Sequence, residues 1–212
     1  MKVYRVIICS FVYCAIVSVV GGCSFSLGGG SKNEVYYVLG DDLEDFSGSV
    51  KERDIRLLVG QAEADRFVDS HRIIFSKVKS TRGYYRYASW VETPTRRFST
   101  LLGKYIESSK LFRTVTRQNS SVKADVLLRS EFLEFYHDVA STPGRVKVSV
   151  VLELVDLKSR LLISRRYFVE MIPVSSNNAN SAVDSFEKAI ESILSKVVYW
   201  LNEAVPADVR DS

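Results

Sequence analysis

The sequence predicts an α+β fold: a largely antiparallel sheet with two amphipathic helices packed on one face. Three observations lead there. Phe98, Leu101, Leu102, Tyr105 and Ile106 recur at helical spacing and form one apolar face. Val183, Phe186, Ile190, Ile193, Val197, Trp200 and Ala204 step by threes and fours along a second stripe. Between the two, Arg145 to Asp156 alternates, with Val146, Val148, Val150, Leu152 and Leu154 on one side of an extended chain. The order of strands, helix, strands, helix places both helices over one sheet face.

Each element has a local reason. Glu34 to Leu39 reads as a short strand and Asp41 to Lys51 as an acidic loop. Strands follow at Asp54 to Gln61, His71 to Lys77 and Gly83 to Trp90, the last rich in aromatics, with a hairpin turn at Lys79 to Gly83. Thr93 suits a helix cap and Pro94 the first helical position. Phe112 to Arg117 is a short strand, followed by a polar loop at Gln118 to Lys123. Asp125 to Tyr136 is a long strand whose alternation slips near Ser130, predicting a bulge there. After Arg145 to Asp156, the turn Leu157 to Arg160 leads to a return strand, Leu161 to Ile172. Ser181-Ala182-Val183-Asp184 has the form of a capping box for the last helix, and Pro206 lies beyond its end.

The N-terminus carries the most specific signal. Lys2 and Arg5 precede an apolar run from Val6 to Val20, shorter than a membrane-spanning helix needs, which ends in Gly21-Gly22-Cys23. Small residues fit an extended cleavage site between Gly22 and Cys23, and the Cys23 thiol can take a diacylglycerol. The expected organisation is a lipoprotein signal peptide over 1–22, a flexible Gly/Ser tether over 23–33, one domain over 34–206 and a tail over 207–212. Cys9 and Cys14 leave with the signal and Cys23 is acylated, so no thiol or disulfide remains. Several acyl chains hold a protein firmly on a bilayer. Ser24 stands where Asp retains enterobacterial lipoproteins in the inner membrane. The expected address is therefore the outer membrane, facing the periplasm.

Charge and motifs narrow the function. The formal net charge is +4, including the two cations of the signal. The remaining basic residues look scattered, so nucleic acid is not an expected partner. The acidic cluster Asp41, Asp42, Glu44 and Asp45 lacks the spacing and glycine of a calcium loop. The two histidines, His71 and His137, have no cysteine or second histidine at ligand spacing. No nucleophile elbow, P-loop or dinucleotide fingerprint occurs. Neither catalysis, metal nor cofactor is expected.

Cys23, Tyr36-Tyr37-Val38-Leu39, Arg72-Ile73-Ile74-Phe75, Tyr85 to Trp90, Pro94, Lys110-Leu111-Phe112, Ala124-Asp125, Arg166-Tyr167-Phe168 and Trp200-Leu201 follow one another in an order that resembles the ABC-type transport auxiliary lipoproteins. The resemblance spans nearly the whole chain after Cys23. It implies a non-enzymatic role beside MCE-type (mammalian cell entry) lipid transporters, with an MCE-domain protein as partner and the membrane reached through the N-terminal lipid. Self-association is left open. So are two other readings: a lipid-binding shuttle with a cavity between helices and sheet, and a lipoprotein of another envelope machine such as lipopolysaccharide assembly.

The aromatic strand offers a candidate partner surface. Strict alternation would put Tyr84 and Trp90 on one side and Tyr85 and Tyr87 on the other. One pair is expected in the core and the other partly exposed, where aromatics anchor interfaces.

Overall fold

A computed structural model describes residues 33–117 and 123–205. The signal peptide with Gly22 and Cys23, nearly all of the tether, most of the 118–123 loop and the C-terminal tail lie outside the described residues. Among the described residues, nine strands and two helices are seen in the order β1 (Val35–Tyr37), β2 (Arg53–Val59), β3 (Glu63–Ala64), β4 (Arg72–Ser76), β5 (Gly83–Trp90), α1 (Pro94–Ser108), β6 (Phe112–Arg117), β7 (Val126–Asp138), β8 (Arg145–Asp156), β9 (Leu162–Pro173) and α2 (Ala179–Ala204).

Strand β7 is the spine of the sheet. Along one edge it pairs antiparallel with β8 over nearly its full length, and β8 pairs antiparallel with β9. Along the other edge β2, β3 and β4 dock in succession, each parallel to it. From β2 the sheet continues to β6, and from β4 to β5 and then β1. The expectation of a largely antiparallel sheet is corrected to a mixed one. Five pairings are parallel (β1·β5, β2·β6, β2·β7, β3·β7, β4·β7) and three antiparallel. Alternation reports which face a residue uses, not the direction of the neighbouring chain, so periodicity could not decide this.

One face of the sheet is covered. Ile55, Leu57 and Val59 of β2, Val126, Leu128, Phe132 and Phe135 of β7, and Val146 to Leu154 at alternate positions of β8 are all buried there. Phe98 of α1 meets Phe132 edge-on at 5.0 Å between ring centres. Phe186 of α2 stacks on Phe135 at 4.3 Å. Both helices therefore sit on the same face, as expected. The α2 stripe is buried from Val183 through Trp200, while Ala204 at its end is only partly so.

Several local expectations shift. Thr93 occupies the cap of α1 without a side-chain bond to the backbone, and its hydroxyl pairs with Thr95 instead. The last helix starts before the Ser181 capping box: Asn178 is the cap, and its Oδ1 accepts from the Ser181 amide at 2.9 Å. The bulge expected near Ser130 is present in β7 and falls at Leu133, between Phe132 and Glu134. Ser130 stays in register and buried. The two-residue strand β3 has no periodicity to read.

The core stripe gives a direct test. Ile193 is fully buried. Ile193→Asp is expected to lower stability by several kcal/mol through an unpaired buried charge, and Phe135→Ala by about 3–5 kcal/mol through a cavity. Urea unfolding checks both, and an unchanged midpoint for either would displace that residue from the core.

Candidate functional site

The β4–β5 hairpin carries the aromatic candidates. Its pairing is irregular: Ile74 faces Tyr84, yet Arg72 faces Ser89, so β5 takes three more steps than β4 between these points. That irregularity breaks the alternation on which the expected pairing of faces rested. Trp90 is 1% exposed and packs against Phe135 and Phe186, so it belongs to the core. Tyr84 does not share its surroundings. It stacks on Phe67 at 4.5 Å and lies under Arg72. Tyr85 is half-buried, edge-on to Phe75. Only Tyr87, 40% exposed, remains open, with Arg86 over its ring. The expected two-and-two division is replaced by one core residue, two partly buried residues and one exposed residue.

Beneath Tyr85 lies His137, wholly buried in β7. Burial pushes the Tyr85 phenol up to about 12. It keeps its proton at neutral pH and is hydrogen-bonded with His137 Nδ1, 2.8 Å away. Burial holds the imidazole below its ordinary 6.5, against the opposing effects of Asn177 and Asp138. An open groove of about 600 Å³ above this pair is lined by Phe75, Lys77, Tyr84, Tyr85 and Arg86, with Val139 and Asn177.

The other histidine is structural in a different way. His71 Nδ1 lies 3.0 Å from the Trp90 carbonyl, and the Trp90 amide donates back to the His71 carbonyl. Its sequence neighbour Asp69 accepts from the Thr95 hydroxyl instead. Asp138 pairs with Arg145, not with His137. Among the described residues, no three histidine, cysteine, aspartate or glutamate side chains are placed to share a metal ion. Among them, too, no helix is long and apolar enough to cross a membrane.

A surface that sequence reasoning missed is the outer face of β9. Phe168 points inward against Trp200. Tyr167, Val169 and Met171 face the other way and are each about half exposed, at 57%, 49% and 50%. Leu161 and Leu162 are exposed at the strand's start. The signal was present: Tyr167 to Met171 is apolar on both of its alternating faces except at Glu170. One face is used by α2 and the other is left open.

The architecture is that of an α+β domain with one helix-covered face and one open face. The chain belongs to the ABC-type transport auxiliary lipoprotein component family, whose family model matches residues 37–198. Solved structures share the fold. A protein of the DUF330 family from Xanthomonas campestris is 20% identical, with a TM-score of 0.73 over 80% of this chain and 95% of that one. A hypothetical protein from Chlamydia trachomatis is 11% identical, with a TM-score of 0.53 over 73% and 99%. No curated protein matches the sequence.

The buried histidine sets a pH dependence. Its folded-state affinity for protons is lower than in the unfolded chain. As pH falls through and below 6.5 the unfolded chain takes up the proton first, and stability falls. The urea midpoint is expected to drop from neutral to about pH 5, and His137→Gln to flatten part of that slope. An identical slope in the variant would remove His137 as the cause.

Proposed function

We propose that this protein is a non-enzymatic, lipid-anchored accessory of an MCE-type ABC transporter that moves lipids or other hydrophobic molecules across the envelope. It is anchored through Cys23, at the outer membrane and facing the periplasm. The observation that carries this reading is the family match over nearly the whole described domain. Packing adds to it. The space between helices and sheet, where a lipid carrier would keep its cavity, is filled by Trp90, Phe98, Phe132, Phe135 and Phe186. A domain with a filled core, a lipid tether and an open apolar sheet face is suited to holding a partner. The substrate remains with the membrane components of the transporter.

Two experiments test this. Cys23→Ser is expected to leave an unprocessed precursor that no longer takes a fatty-acid probe. Normal labelling and cleavage of that variant would end the lipoprotein reading of Cys23. Affinity purification of the tagged protein from membranes is expected to recover an MCE-domain protein. The pair Val169→Asp and Met171→Asp is expected to reduce that recovery several-fold while circular dichroism and melting stay unchanged. Recovery of lipopolysaccharide-assembly components in place of an MCE protein would overturn the assignment. Undiminished recovery with the double variant would exclude the β9 face as the contact.

A further inference from the structure

The basic residues that look scattered along the chain are gathered by the fold. From Ser70 to Val91 the sequence holds Arg72, Lys77, Lys79, Arg82 and Arg86 and not one carboxylate. This stretch is the β4–β5 hairpin with its flanks, and all five cations are exposed. Among the described residues, none of the five forms an ion pair within 4 Å. Arg72, Lys77, Arg82 and Arg86 lie over aromatic rings, Arg82 closest at 3.7 Å above Tyr136. Those contacts orient the cations without neutralising them.

The nearby carboxylates are already engaged. Glu34 accepts from the Ser89 and Tyr36 hydroxyls, with Arg72 near it. A cleft of about 510 Å³ beside the hairpin tip brings Lys79 and Arg82 together with Arg145 and Lys147. Its two acids, Glu134 and Asp138, are paired with Lys147 at 2.6 Å and Arg145 at 3.5 Å. Ser76, Ser80, Ser141, Tyr136 and Ala140 complete the lining. The cleft sets four cations against two acids, and that surplus of positive charge is the chemistry that receives a phosphate.

Chain direction says which way this surface points. Strand β1 runs parallel to β5, with Val35 beside Ala88 and Tyr37 beside Trp90. Residues before Val35 therefore enter from the side of Arg86 and Gly83, the hairpin-tip side. Ten residues follow Cys23 up to Asn33, and fully extended they span at most about 35 Å. The residues that lead into β1 and the unneutralised cations thus share one end of the domain. At the tip, Val78 is 62% exposed between Lys77 and Lys79, an apolar side chain flanked by two that can reach for headgroups.

We propose that the β4–β5 hairpin lies on the membrane that carries the anchor, with its cations and the adjoining cleft on anionic phospholipid headgroups. This rests on the lipid-anchor reading. Clustered cations near an anionic leaflet add attraction within about 10 Å of the surface. They would fix the domain's orientation and turn the open β9 face sideways, available to a partner.

The test uses the acylated full chain in vesicles. With Cys23 acylated and the signal removed, a single introduced cysteine is the sole thiol. Val78→Cys at the tip and Lys158→Cys in the β8–β9 turn, at the opposite end of β7 from β4, are each labelled with an environment-sensitive fluorophore. The tip probe is expected to gain emission several-fold in phosphatidylcholine vesicles containing phosphatidylglycerol and not in phosphatidylcholine alone. The Lys158→Cys probe is expected to stay unchanged in both. Adding Lys77→Glu, Lys79→Glu and Arg82→Glu should abolish the gain. Three results would overturn the proposal: a tip probe that stays aqueous on anionic vesicles, an equal gain on neutral ones, or a response only at Lys158→Cys. So would an aqueous tip probe that cross-links to a co-purified acidic protein, which would assign the hairpin to that partner. Flotation with neutral vesicles reports the anchor separately, and failure to float overturns the anchor reading itself.

Discussion

Strand β7 is the constraint on which the rest of the domain depends. Its thirteen residues pair with β8 on one edge and with β2, β3 and β4 in turn on the other. Every remaining strand is reached through one of these. Its inward residues also carry the helices, because Phe132 meets Phe98 of α1 and Phe135 meets Phe186 of α2. The start of β7 is held by charge. Asp125 accepts the Arg56 amide at 2.9 Å and its guanidinium at 3.0 Å, and the Asp125 amide donates to the Arg56 carbonyl. That exchange aligns β2 with β7 and gives the Ala124-Asp125 pair a structural role. A bidentate guanidinium–carboxylate pair sets register as well as attraction.

The same strand explains why the domain is asymmetric. Hydrogen bonds on both edges and aromatic packing on one face leave only the other face open to solvent. On that open face β9 shows an apolar stripe, while the β4–β5 hairpin shows unpaired cations. Apolar area suits a protein partner, and clustered positive charge suits an anionic surface. A lipid-anchored domain that must face both a bilayer and a partner needs two such surfaces in different places.

His137 shows the tension between core and surface at the hairpin end. It sits on the inward face of β7, fully buried, beside Asp138, which is already bound to Arg145. The Tyr85 hydroxyl partners its Nδ1. That bond reaches across β4 from the irregular strand β5 to β7, and it explains why Tyr85 is not free to serve an interface.

The sequence by itself determined both helices, the long β7–β8–β9 meander and the family, because these rest on short-range periodicity and on motifs in fixed order. Phe112 to Arg117, Gly83 to Trp90 and Arg145 to Asp156 stand where their patterns place them. Tertiary structure alone decided the parallel docking of β2, β3 and β4, since a strand's pattern names its buried face and not its neighbour. It decided the fate of the tyrosines, because the irregularity in β5 arises from pairing with β4 and leaves no mark in the residues themselves. It also turned cations spaced along fifteen residues, Arg72 to Arg86, into one patch, by folding them into a hairpin whose end is shared with the incoming chain.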